Sequence, residues 1–290
     1  MKYITMDLEW NGTYSEEEGK YFNEVIEIGA VKLDENFNEI EQYSTMIKPK
    51  ISCKLTDIVK KLTNLTDEDL ENGSTFQRTV EELCEFVGDD GIVITWSDTD
   101  LHILIENCKV FFGTDTVPFV KRYLDLQKVF GSEPDRDGIQ PSLIECAGEV
   151  GIDVHEYSLH RALDDSLLCA EVLRRSRDHK NLYDFMIDTT QNNFYERFNF
   201  KSYFICDITS REIDRRELKC ACKQCGKTAK RVSPFHVKNS AFFAQFYCSD
   251  CDREYFMRIR FKKLYDGVKV NKAVFDASKR ENNENALELK

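Results

Sequence analysis

With 290 residues, 41% of them hydrophobic and 32% charged, the chain has the composition of a soluble globular protein with room for one or two domains. No run approaches the roughly 20 apolar residues of a membrane span, and no charged-then-apolar leader precedes the first strand-like run, so a cytoplasmic protein with no membrane partner is expected. The net charge of −12 argues against a simple nucleic-acid coat, but it conceals about −20 over residues 1–200 and about +10 over residues 201–280.

Residues 2–10 and 24–34 read as strands, and Asp34–Glu39 as the turn of a hairpin into a third strand that ends near Pro49. Helical periodicity follows at about 76–87, 100–110, 142–150 and 161–177, with the compact apolar strand Ile92–Trp96 between the first two. An antiparallel opening followed by helices and a strand predicts an α/β domain over residues 1–180. Residues 181–215 are aromatic-rich without a regular period and read as a connector that packs on something the sequence does not identify. Residues 216–265 switch to short strands around cysteine pairs. Residues 266–290 read as a tail, partly disordered because Glu281-Asn-Asn-Glu-Asn285 is so polar. The eleven cysteines are odd in number, and Cys84, Cys108 and Cys169 lie in apolar or helical settings, so disulfides are not expected.

In the first strand a period of two places Ile4, Met6, Leu8 and Trp10 on one face and Thr5, Asp7 and Glu9 on the other. Two carboxylates about 7 Å apart on one strand raise each other's pKa unless a cation lies between them. The plain alternative is a solvated strand edge. In the last helix Ala162, Asp165, Cys169 and Val172 recur at steps of three and four, which puts Asp165 on the apolar stripe, where a carboxylate must be paired or metal-bound. Its neighbour Asp164 is an ordinary surface acid near a helix N-terminus. His160 shares a centre with Asp165 only if it sits at or before the first turn; taken alone it is more simply a structural histidine. Asp98 and Asp100 follow the strand 92–96, where helix capping or the helix dipole explains either of them.

Four segments change that balance. Met6-Asp7-Leu-Glu9-Trp10, Val25-Ile-Glu-Ile-Gly-Ala-Val31, Ile94-Thr-Trp-Ser-Asp-Thr-Asp100-Leu101 and His160-Arg-Ala-Leu-Asp-Asp165, in that order over roughly residues 1–178, resemble the DEDDh exonuclease family. The form Thr95-Trp96-x-x-x-Asp100 is most similar to the branch of enhanced-RNA-interference and histone-mRNA 3′ exonucleases. The resemblance implies an RNase H-like mixed-sheet fold and a 3′-to-5′ phosphodiester hydrolase releasing nucleoside 5′-monophosphates. It implies that Asp7, Glu9 and Asp165 hold one divalent cation, Asp7 also touching a second and Asp100 assisting, with His160 as general base. Oxygen donors suit two Mg²⁺ or Mn²⁺ ions. Branch resemblance favours single-stranded RNA or short oligoribonucleotides as substrate. A DNA exonuclease and a catalytically silent adaptor are the rival readings. Where many relatives have Leu-Thr-Gly-Ile near the terminal base, this chain has Leu62-Thr-Asn-Leu65, which puts those contacts in question.

In the second part, Cys222-Lys-Gln-Cys225 and Cys248-Ser-Asp-Cys251 are two C-x-x-C knuckles about 22 residues apart, the spacing of a small four-cysteine zinc ribbon holding one structural Zn²⁺. A redox pair is the alternative, without the βαβ setting it needs. Cys220 and His236 are spare donors left outside the site, and Gly226 suits the tight turn. Beyond the knuckles, Met257, Ile259 and Phe261 alternate with Arg258, Arg260 and Lys262, a strand whose basic face can follow a phosphate backbone. Lys223, Lys227, Lys230 and Arg231 add positive charge, and Phe235, Phe242, Phe243 and Tyr247 are candidate base-stacking residues. A plain solvated strand, or docking on the acidic domain, are the other readings of that face.

Overall fold

β-branched and aromatic residues run through β1 (Lys2–Ser15) and β2 (Lys20–Leu33), which pair antiparallel along their lengths. The computed structural model describes residues 1–16, 19–52, 54–136, 139–176, 182–191 and 193–276. The Asp34 carboxylate accepts the amides of Asn36 (2.8 Å) and Asn38 (2.9 Å) and closes the turn into β3 (Glu39–Met46). Two short helices follow, α1 (Asp57–Thr63) and α2 (Asp67–Glu71), each capped by a threonine, Thr56 and Thr66. Five to seven residues carry too little periodicity to announce them. Next come α3 (Phe76–Val87), β4 (Gly91–Thr95), α4 (Thr99–Phe112), β5 (Arg122–Asp125), α5 (Leu126–Gly131), α6 (Leu143–Glu149), α7 (Ala162–Ser176) and β6 (Ile187–Asp188).

The sheet order is β3-β2-β1-β4-β5-β6, with β4 and β5 parallel to β1 and the other pairings antiparallel. β1 is therefore an interior strand. Ile4, Met6 and Leu8 are buried on one face, and Thr5 and Glu9 are buried on the other, which excludes the solvated edge as the explanation of the carboxylates. One core layer joins Val31, Ile92, Ile94 and Leu124 of the sheet to Leu168 and Val172 of α7.

The division between two compact units falls between Tyr195 and Glu196. In the second unit β7 (Tyr203–Phe204), β8 (Cys220–Ala221), β9 (Thr228–Arg231), β10 (His236–Lys238), β11 (Ala241–Cys248), β12 (Arg253–Leu264) and β13 (Gly267–Asp276) form a sheet. Its path is β13-β12-β11-β9-β8, with β10 paired to β11 and β7 to β12. Tyr255, Met257, Ile259 and Phe261 of β12 pack with Phe242 and Phe246 of β11.

In the stretch read as a packing connector, β6 pairs with β5 in the first sheet and β7 with β12 in the second. Two-residue strands have no period to read. The boundary that differs from the sequence expectation is the one at residue 265: the second sheet continues past it, because β13 pairs with β12 from Gly267 to Asp276, inside the expected tail. Glu281–Asn285 lie outside the described residues. Among the described residues no helix is long and apolar enough to cross a membrane.

Candidate active site and metal centres

Asp7 lies mid-strand in β1 directly opposite Gly29 of β2, and Glu9 lies opposite Glu27. Paired residues of an antiparallel ladder share a face, so all four positions look toward α7. Gly29 is what lets the helix in: a Cβ there would come within 2.2 Å of the Ala162 carbonyl carbon and the Leu163 nitrogen. The contact is then locked. Ser166 Oγ donates to the Gly29 carbonyl and Thr5 Oγ1 donates to the Ser166 carbonyl, both at 2.9 Å. Asp165, fourth residue of α7, is thereby brought beside Asp7 and Glu9, while His160 sits two residues before the helix with its side chain exposed. Asp100, second residue of α4, is 5% exposed and accepts the backbone amide of Leu8 in β1. Donor atoms of Glu9, His160 and Asp165 all lie within 4.8 Å of one another.

The electrostatics follow from the crowding. Burial, then the charges of Asp100, Asp165 and Glu9, push Asp7 well above the usual carboxylate range. Burial, then Asp165 and Glu27, raise Glu9 to about 8, and burial dominates the rise of Asp100 to about 7. Asp165 is raised too, again by burial, with the His160 amide opposing. Carboxylates that resist ionising side by side form a site lacking positive charge. Hard oxygen donors packed this way fit divalent cations such as Mg²⁺ or Mn²⁺.

Several residues of this site escaped sequence reasoning. Glu27 is buried against the cluster and bound by Arg161; its signal was a lone acid inside the apolar run Val25–Val31. Asp125 is a further buried acid near Asp100, capping α5 and paired with Lys128 at 3.0 Å. Asp98 makes no capping hydrogen bond and pairs instead with Lys128 at 2.7 Å. Thr95 Oγ1 donates to the Ser97 carbonyl and lies 2.7 Å from the Tyr123 hydroxyl, and Trp96 Nε1 donates to the Pro141 carbonyl at 3.2 Å. The Thr-Trp pair thus pins the turn that delivers Asp100. Asn64 ends α1 in the left-handed region (φ 58°), so it keeps the backbone shape a glycine gives there.

Residues 4–173 match the family model described as Exonuclease. The chain belongs to this exonuclease family. The Bacillus subtilis (strain 168) protein named probable 3′-5′ exonuclease KapD is 29% identical over 169 residues, 57% of this chain and 77% of its own length. DNA polymerase III subunit epsilon of Aquifex aeolicus (strain VF5) is 28% identical over 172 residues, 59% of this chain and 77% of its own. The crystal structure of the nuclease domain of 3′hExo, a DEDDh family member bound to rAMP, matches with a TM-score of 0.54 at 21% identity, over 62% of this chain and 94% of that one. The first unit therefore has the RNase H-like fold and the protein is a hydrolytic exonuclease, while the nuclease domain it resembles in fold belongs to the DEDDh class, which uses divalent metals.

The exonuclease carries its second centre in the other unit. The sulfurs of Cys222, Cys225, Cys248 and Cys251 lie within 4.8 Å of one another. Gly226, at φ 74°, donates its amide to the Cys222 carbonyl (2.9 Å), and Cys222 donates to the Lys227 carbonyl (2.8 Å), forming the knuckle turn. The hydrogen bond from the Tyr255 hydroxyl lowers the Cys222 thiol to about 6, while hydrogen bonding to Cys225 raises Cys251 to about 12. Four thiols this close ionise together only around a cation, and a closed four-sulfur set fits zinc. Cys220 is buried outside the set, and His236 stacks on Phe243. Arg258, Arg260 and Lys262 are half-buried on the face of β12 away from its core, with Arg260 and Lys262 over the Phe204 ring at 5.1 and 5.9 Å. Phe242, expected among the stacking residues, is buried in the core and cannot serve; Lys227 is paired with Asp250.

Proposed function

We propose that this exonuclease removes nucleotides from the 3′ end of single-stranded RNA or short oligoribonucleotides and releases nucleoside 5′-monophosphates. Asp7, Glu9, Asp100 and Asp165 hold two Mg²⁺ or Mn²⁺ ions, and His160 is the general base. The observation that carries this reading is the meeting of Asp7, Glu9, Asp100, His160 and Asp165, from three remote segments, around carboxylates whose protons are held by burial. When bound, the cations supply the charge that offsets the phosphodiester and the developing negative charge on the leaving 3′-oxygen. His160, exposed and next to Glu9 and Asp165, takes the proton of the attacking water.

The RNA preference rests on the Thr95-Trp96-x-x-x-Asp100 form and on likeness to a domain bound to rAMP. The polymerase III epsilon relative makes DNA the second reading. Selection by the 2′-hydroxyl separates them. In the second unit Cys222, Cys225, Cys248 and Cys251 hold one structural Zn²⁺, and Arg258, Arg260 and Lys262 track the phosphates of the single strand. The cation-covered Phe204 ring supports that role for the face. Unpaired cysteines throughout the described residues fit the cytoplasm.

A matched time course on 5′-labelled single-stranded RNA and DNA of one sequence, with Mg²⁺, Mn²⁺ or chelator, tests the proposal. A metal-dependent ladder shortening from the 3′ end, faster on RNA, is expected. Faster DNA cleavage reverses the substrate assignment, and cleavage of neither overturns the reaction.

A further inference from the structure

Glu27 is a fifth carboxylate at the acid cluster, directly across the ladder from Glu9 and 1% exposed. Its oxygens are gripped by Arg161: Nε lies 3.1 and 3.3 Å from the two of them and Nη2 lies 3.0 Å from one. A bidentate guanidinium on a buried carboxylate is held in one geometry, because releasing it leaves the acid desolvated and unpaired. Arg161 is also the residue that follows His160. His160 has φ 64°, a left-handed conformation that residues with a Cβ adopt uncommonly. Leu159 before it is only partly buried against the core, and the His160 side chain itself is exposed, so the core does not enclose the imidazole. Two polar anchors flank it instead. The His160 amide donates to Asp165 Oδ2 at 2.9 Å, and the next side chain is bolted to β2 through Glu27.

We infer that Arg161 is a positioning residue for His160, with Glu27 as its fixed point on the sheet. The inference rests on the general-base reading of His160 and deepens it. It gives Glu27 work other than holding a cation, and it gives the Arg of His160-Arg161 a reason to stand next to the base.

The test is a kinetic cycle on the full chain with Arg161→Ala, His160→Ala and the double variant, with Arg161→Lys alongside. Arg161→Ala is expected to lower kcat about ten- to a hundredfold with little change in KM, the scale of a displacement of about 1 Å. In the His160→Ala background the same substitution is expected to cost nothing more, and Arg161→Lys to recover part of the loss. In the metal-free protein, the NMR signal of the His160 imidazole should broaden or move toward the free-histidine position in Arg161→Ala. Multiplicative losses in the double variant overturn the proposal and assign Arg161 an action of its own, such as a contact to substrate phosphate. An unchanged kcat with an unchanged imidazole signal overturns it as well. If His160→Ala alone leaves kcat intact, the general-base reading falls, and the imidazole signal still decides whether Arg161 places His160. Melting curves of both Arg161 variants identify a loss that comes from unfolding.

Discussion

The acid cluster takes Asp7 and Glu9 from β1, Asp100 from α4, Asp165 from the first turn of α7 and His160 from just before it, so residues 7 to 165 must fold before it exists. The cysteine cluster takes all its sulfurs from two turns between residues 222 and 251, one after β8 and one at the β11–β12 hairpin. Crowded carboxylates in a buried site work against the fold until a cation arrives. The thiols sit in a unit whose own apolar core is small, where a bound metal adds to folding. Under the proposed function, one centre is supported by its fold for the sake of chemistry, and the other supports its fold.

That contrast breaks most sharply at Asp7. Asp7→Asn is expected to lower turnover about a thousandfold or more while the metal-free protein melts at the same or a higher temperature, since a buried carboxyl that is costly to ionise there has gone. Parallel rate and melting measurements check this, and a lower melting temperature would mean that the carboxylate is structural. Cys248→Ser is expected to act in the opposite sense. It removes a share of the roughly 10–16 kcal/mol with which such sites bind zinc, exposes the second unit to protease, and leaves cleavage of a dinucleotide within about threefold. Zinc content per chain and limited proteolysis read the outcome.

Gly29→Ala sharpens the role of the α7 contact. Its methyl group meets helix backbone, so a loss of about 1–3 kcal/mol is expected in urea unfolding, together with a drop in kcat as Asp165 moves. The smallest effect is in pH. Glu9 at about 8 and Asp100 at about 7 keep protons that unfolded carboxylates release near pH 4. Their stabilising contribution is complete below that pH and is lost as pH rises through 7 to 8, so the metal-free protein should melt several degrees lower at pH 8 than at pH 5. Mg²⁺ should remove most of that difference; equal slopes with and without it would separate the cluster from cation binding.

Much of this was legible in residue order. The period of two in β1 put Asp7 and Glu9 on one face, the stripe of α7 marked Asp165, and the paired knuckles named four sulfurs. These are local patterns, in which covalent neighbours decide which face a side chain takes. Tertiary structure alone decided that β1 is interior, that Gly29 admits the first turn of α7 against Asp7, and that Arg161 reaches Glu27. It also buried Phe242 and recruited β6 and β7 from a stretch without periodicity. The physical reason is that an acid's burial, a glycine's necessity and a two-residue strand's pairing belong to whichever remote segment lies opposite, and local sequence does not carry that information.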